Sequence, residues 1–163
     1  MTRGPVNLAA FQRSLFVLLA VSLILSSCSG TRPEDLGCTE GRLSPCPDSP
    51  NCISSQSSDK SHYVTPLNYR GTLTEAREAL LSLIGEWPNS EMVKVTGDYI
   101  HAKFTSRFFR FVDDVEFCID HDMRIIHVRS SSRVGYFDFG VNRRRIERIR
   151  AKFAVLTTSE SAL

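Results

Sequence analysis

The chain lacks most of the marks by which a short sequence declares its chemistry. It has no Gly-x-Ser-x-Gly elbow to raise a serine nucleophile. It has no Cys-x-x-Cys pair for thiol–disulfide exchange, and its cysteine spacing fits none of the usual zinc patterns. No segment repeats at a fixed period, which excludes solenoids and propellers. No apolar run reaches the ~20 residues that a membrane-spanning helix needs. A charge excess is missing too. The whole chain has 20 Lys+Arg against 18 Asp+Glu, and two of the basic residues, Arg3 and Arg13, lie at the extreme N-terminus. The remainder is neutral, so overall charge gives no footprint for nucleic acid.

What is present begins at that N-terminus. Residues 1–14 carry Arg3 and Arg13 and no acidic residue, Leu15 to Leu25 are apolar apart from Ser22, and Ser26-Ser27-Cys28 follow. A charged start, a short apolar core and small residues before a cut are the parts of an export signal. Leu25-Ser26-Ser27-Cys28 resembles the lipobox of bacterial lipoprotein precursors. The resemblance implies a signal peptide over 1–27, lipid on the Cys28 sulfur, cleavage before Cys28 and acylation of the new amine by a chain such as palmitate. Ser29 rather than Asp after Cys28 resembles the state sorted to the outer membrane, facing the periplasm, in a Gram-negative cell. An uncleaved anchoring helix and an ordinary signal with a chance cysteine are the alternatives.

Removal of residues 1–27 from 163 leaves 136, enough for one core. Five cysteines are present. With Cys28 lipidated, Cys38, Cys46, Cys52 and Cys118 remain, and an even number outside the cytosol favours disulfides. Cys46 and Cys52 bracket a tight, proline-restricted loop and are expected to pair; Cys38 and Cys118 are then left for each other. Residues 28–44 are polar and Gly-rich and read as a lipidated tether, spanning ~20 Å if flexible.

The folded domain is expected over 45–156, with 157–163 as a flexible tail. Thr72 and Glu75 have capping-box spacing, and Ala76, Leu80, Leu83 and Trp87 recur at helical intervals until Pro88. Four alternating runs follow, around Val93 and Val95; Ile100, Ala102 and Phe104; Val115, Phe117 and Ile119; and Ile126 and Val128. Gly97-Asp98 supplies a hairpin turn between the first two, and His121-Asp122 turns the chain between the last two. Asn142 is placed to cap a last helix with Ile146, Ile149, Phe153 and Leu156 on one face. Its other face is basic, with Arg143, Arg144, Arg145, Arg148, Arg150 and Lys152, and could be solvated or touch anionic lipid or wall polymer. The fold class is therefore α+β, a two-layer sandwich in which a four-stranded antiparallel meander has a helix before and a helix after it.

The sheet face away from the helices would carry His101, Lys103, Asp114, Glu116, His127 and Arg129. This is either a solvated face with cross-strand charge pairs or a binding face partly roofed by the Cys46–Cys52 loop. The densest polar group is Arg129-Ser130-Ser131-Ser132-Arg133 with Asp138, Asn142 and Arg143, joined by Asp113, Asp114 and Glu116. Such arginines, hydroxyls and helix N–H groups could hold a phosphate or carboxylate; the same residues could instead form a structural salt-bridge network. Nothing fixes the separation of His101 and His127, so no metal is assigned, and no cofactor is implied. Asp113 and Asp114 are adjacent, so in a strand they point to opposite faces, which disfavours an acid/base pair.

Several segments together resemble the domain-of-unknown-function 1499 family. They are Pro45–Gln56 (PCPDSPNCISSQ), Phe111–Phe117 (FVDDVEF), His127–Tyr136 (HVRSSSRVGY) and Gly140–Arg143 (GVNR), in order across roughly Leu43 to Phe153. The resemblance implies export or membrane attachment in bacteria, with relatives in photosynthetic eukaryotes. It brings no settled activity and no catalytic residue. The expected function is a membrane-anchored binding or envelope-maintenance module, whose partner beyond the membrane is an anionic ligand or an envelope protein. The alternative is a hydrolase-type enzyme acting on envelope material. Nucleic acid is not expected outside the cytoplasm.

Overall fold

The computed structural model describes residues 30–159, together with Gln12. The expected signal, Cys28 and the last residues of the tail lie outside the described residues. Among the described residues from 30 to 159, eight strands and two helices follow in chain order: β1 (Cys38–Thr39), β2 (Arg42–Leu43), β3 (Cys52–Ser54), β4 (Leu67–Asn68), α1 (Leu73–Gly85), β5 (Ser90–Thr96), β6 (Tyr99–Thr105), β7 (Val112–Asp120), β8 (Ile125–Ser132) and α2 (Val141–Ser159). No helix among the described residues is long and apolar enough to cross a membrane.

The class is α+β, with both helices against one face of a mostly antiparallel sheet. That sheet has six strands, not four. β5, β6, β7 and β8 pair in sequence order, and β3 and β4 both join the outer edge of β8. These two additions are three and two residues long, too short to show alternation. The first is seated by Ile53, which enters the core, and by hydrogen bonds of the residue that follows the strand. The Ser55 N–H donates to the Val128 carbonyl, and the Ser55 hydroxyl accepts from the Val128 N–H.

Local signals explain the helices. Thr72 caps α1, and the reciprocal bonds with Glu75 complete the capping box. The helix stops at Gly85, so Trp87 lies beyond it, packed edge-on against Phe104 with ring centroids 6.3 Å apart. At α2 the cap differs from expectation. The Asp138 carboxylate accepts from the N–H groups of Gly140 and Asn142, while Asn142 sits inside the helix with its side chain buried. α2 also continues to Ser159, through positions expected in the tail.

One face of the sheet holds the core. Ile100, Ala102, Phe104, Val115, Phe117, Ile119, Ile126 and Val128 meet Ala76, Leu80 and Ile84 of α1 and Ile146, Ile149 and Phe153 of α2. A bulge between Met92 and Lys94 shifts the register of β5; Met92 packs on the core while Val95, at the sheet edge, is exposed.

The other face is covered as well, by the N-terminal segment expected as a tether. β1 and β2 form a small ribbon, and Leu43, Tyr99, Cys118 and Cys38 make a second, smaller apolar cluster beneath it. The Cys38–Cys118 disulfide pins this strap to β7, and Cys46–Cys52 closes the proline-rich loop. At the start of the strap, Gly30 has a positive φ of 61° and lies against the two residues that follow β8. A Cβ placed there would come 2.8 Å from the Arg133 Cβ and 2.9 Å from the Val134 side chain, which only glycine avoids.

The two bridges close loops of very different length, 80 and 6 residues. Loop-closure entropy assigns about 4.5 kcal/mol to the first and about 2 kcal/mol to the second. The double variant Cys38→Ala/Cys118→Ala is therefore expected to lose more stability in urea unfolding than Cys46→Ala/Cys52→Ala. The reverse order would mean that the strap holds its place without the bridge.

Candidate functional site

The residues singled out in the sequence fall into three separate groups rather than one open constellation. The first lies beneath the strap. Alternation along β7 sends Asp114 and Glu116 to the face away from the helices, and the cross-strand register sets His101 opposite Glu116 and Arg129 opposite it on the other side. Asp114 is 1 % exposed and Glu116 is fully buried. Each has its own donors. Asp114 accepts from Arg133 through two bonds of 2.8 and 2.9 Å and pairs with His101 at 2.8 Å. Glu116 accepts from Arg129 at 3.0 Å, the Tyr99 hydroxyl at 2.8 Å and the backbone N–H of Gly37 at 2.9 Å. The last bond comes from the strap itself.

Electrostatics follow from these contacts. Burial pushes the Asp114 carboxyl up, but the bonds from His101 and Arg133 outweigh it and hold the group below its usual range. The same bond raises Arg133. Tyr99 is pushed well up, first by burial and then by the Glu116 charge. His127 belongs to neither carboxylate. Its Nδ1 lies 3.2 Å from the Ser55 hydroxyl, and burial lowers its pKa.

The second group lies on the helix side. Asp113 points there, as adjacent strand residues must, and accepts from Arg145 at 2.5 Å. Asn142 is the hub. Its carbonyl oxygen accepts from Ser130 and Arg145, and its amide donates to the Asn51 carbonyl and the Ser132 hydroxyl. Asn51 in turn donates to the Gly135 carbonyl at 2.6 Å. This network ties the Cys46–Cys52 loop to the start of α2.

The third group is the basic side of α2, most of which is engaged by the protein. Arg143 donates to the carbonyls of Ser61 and Tyr63, and Arg144 to that of Phe139. Arg148 and Lys152 lie 5.4 and 5.2 Å over the Trp87 ring, and Arg150 pairs with Glu147. Arg145 escaped notice as a site residue, although its spacing of three from Asn142 places both on one helix stripe. Neither His101 nor His127 joins a metal cluster; among the described residues no group of three His, Cys, Asp or Glu side chains converges as one.

An open cleft lies elsewhere. It has a volume of about 480 Å³ between the second half of the strap, the Cys46–Cys52 loop and the turn before β4. Arg42, Asp48, Ser57, Ser58, Asp59 and His62 line it. The His62 ring is positioned by the Cys52 carbonyl, 2.8 Å from its Nδ1. A carbonyl only accepts, so Nδ1 carries the proton in the neutral ring and Nε2 carries a lone pair. That Nε2 lies 3.9 Å from the Asp59 carboxylate. In the sequence the Cys46–Cys52 loop stood out for its expected disulfide and its family resemblance, but no ligand site was placed there, because hydroxyls and prolines have no period.

A family model described as protein of unknown function (DUF1499) matches residues 42–153, which takes in the cleft-forming loop, the network around Asn142, the buried side chains beneath the strap though not Gly37, and most of α2. No curated protein and no solved structure gives a significant match.

Removing one partner from a buried ion pair costs about 3–5 kcal/mol, because the other charge is left uncompensated. Asp114→Asn is expected to lose stability on that scale at neutral pH, read by urea unfolding. The folded carboxyl is depressed, so its stabilisation is complete above the unfolded value of about 3.9 and is lost as pH falls through the lower folded value. Unfolding curves below pH 5 should therefore fall more steeply for the unaltered protein than for Asp114→Asn; parallel curves would mean that the pair does not set the acid limit.

Proposed function

The chain belongs to the DUF1499 family, and we propose that it is a lipid-anchored binding module of the bacterial cell envelope, exported as a lipoprotein precursor and carrying its ligand site in the cleft beside the Cys46–Cys52 loop. The observation that carries the anchor is the cysteine pairing. Two disulfides take Cys38, Cys118, Cys46 and Cys52, which leaves Cys28, of the five, for the lipid that its lipobox-like surroundings imply. Two disulfides in so small a domain also support an oxidising compartment.

The chemistry of the cleft supports binding of a neutral, polar ligand. Arg42 is offset by Asp48 and Asp59, and hydroxyls fill much of the remaining wall. That lining suits the hydroxyls and amides of wall sugars and peptides better than a phosphate. The arginines that suggested an anionic ligand are engaged within the protein, Arg129 with Glu116, Arg133 with Asp114 and Arg143 with the carbonyls of Ser61 and Tyr63. A hydrolase-type reading retains one supporting feature, the fixed His62 ring with Nε2 3.9 Å from Asp59 in a cleft that serines also line.

Two measurements test the proposal. The mass of the mature protein taken from membranes is expected to show cleavage before Cys28 and added diacylglyceryl and acyl groups, both absent in Cys28→Ser; an unmodified Cys28 would end the anchor reading. Thermal unfolding in the presence of wall sugars and peptides tests the cleft. A ligand at one hundred times its Kd adds about 2.7 kcal/mol, and the shift is expected to vanish in Asp48→Asn and His62→Gln. A shift with phosphate head groups alone would overturn the neutral-ligand assignment, and turnover of a fragment that stops in His62→Gln would favour the enzyme.

A further inference from the structure

The sheet register brings two aromatic loops to one end of the molecule. Residues 106–111 join β6 to β7, with Thr105 paired to Val112. Residues 133–140 leave β8, where Ser132 pairs with Asp113 and the Arg133 N–H donates to the Val112 carbonyl. Both segments therefore emerge at the same edge, opposite the His121–Arg124 turn. The first loop exposes Phe108, Phe109 and Phe111; the second exposes Tyr136, Phe137 and Phe139. Phe108 is 84 % and Phe139 87 % exposed, which no packing role inside the chain explains. Single exposed apolar residues are ordinary, but a cluster of this kind marks an interaction surface.

Two observations identify what meets it. The first loop reads Ser-Arg-Phe-Phe-Arg-Phe, with Arg107 and Arg110 exposed and no acidic residue. Asp138, the one acid of the second, is occupied at the head of α2. Aromatic rings flanked by cations suit the boundary between lipid head groups and acyl chains. The second is where the chain enters the fold. Gly30 rests against Arg133 and Val134, at this same end, and the two residues back to Cys28 reach at most about 7 Å. A lipid on Cys28 would thus enter the bilayer near the aromatic loops.

We propose that this end of the molecule is a membrane-docking surface, in which Phe108, Phe109, Phe137 and Phe139 enter the phospholipid interface while Arg107 and Arg110 meet lipid phosphates. The inference rests on the lipid-anchor reading of Cys28. One thioether-linked anchor leaves a protein free to swing; the ring clusters fix its orientation and direct the opposite end, with Met123, away from the bilayer.

The test uses the full protein with Trp87→Phe, carrying Phe108→Trp, Phe139→Trp or, at the far end, Met123→Trp. Each is purified from membranes, checked by mass at Cys28, and reconstituted in vesicles of phosphatidylethanolamine and phosphatidylglycerol with brominated acyl chains. Since tryptophan settles at the interface, quenching at 108 and 139 is expected to exceed that at 123 by roughly twofold or more. Equal quenching at all three sites in lipidated protein would overturn the docking surface while leaving the anchor intact, and would point to a protein partner for the rings. If mass shows Cys28 unmodified, the anchor reading has failed. The same vesicles then decide docking alone: binding with selective quenching at 108 and 139 sustains it, and no binding overturns it.

Discussion

Asp114 and Glu116 sit two residues apart near the middle of β7, on the face turned away from both helices, and both are removed from water. Taking an ionised carboxylate into the interior costs several kcal/mol unless donors replace the lost hydration. Much of the architecture answers that requirement. β8 supplies Arg129 and Arg133, β6 supplies Tyr99 and His101, and the strap supplies the Gly37 N–H. The strap is thus both a cover, which excludes water, and a ligand of the charge it covers. Its disulfide to β7 keeps the cover over the pair. The sheet consequently has two faces of opposite character, one apolar under helices and one ionic, covered by irregular chain around Asp114 and Glu116 but open at Lys103 and Glu91.

The same strap links the parts on which function is proposed to rest. Its first residue, Gly30, touches Arg133, the arginine that neutralises Asp114. Its last part, from Arg42, forms one wall of the cleft. An anchor at Cys28 would therefore pull on a segment that is locked to the sheet rather than on a free tether.

Legibility in the sequence followed periodicity. The helix from Leu73 was readable through its capping box, and the strands from Tyr99 to Ser132 through strict alternation, because each signal depends on residues close in the chain. β3 and β4 were not readable, being too short to alternate. The disulfides were accessible by elimination, since a tight loop favoured Cys46–Cys52 and only Cys38 and Cys118 remained. The polar group around Arg129–Arg133 was noticed correctly as dense, but its division into a network under the strap and one around Asn142 depends on partners far away in sequence. Gly37 lies 79 residues from Glu116, and Asn51 lies 91 from Asn142.

By itself the sequence determined the α+β class, the two-sided chemistry of the sheet, the cysteines available for pairing and the family to which the segments point. These properties are local or compositional, and they survive without knowledge of which segments meet. Only the tertiary structure decided that the polar face is buried rather than solvated. An alternating strand specifies two faces but not what covers either of them. The cover here is a Gly-rich segment with no hydrophobic pattern, held by one disulfide, the single buried side chain of Leu43 and scattered hydrogen bonds to Glu116 and Gln56, and such contacts leave no period in the residues that make them.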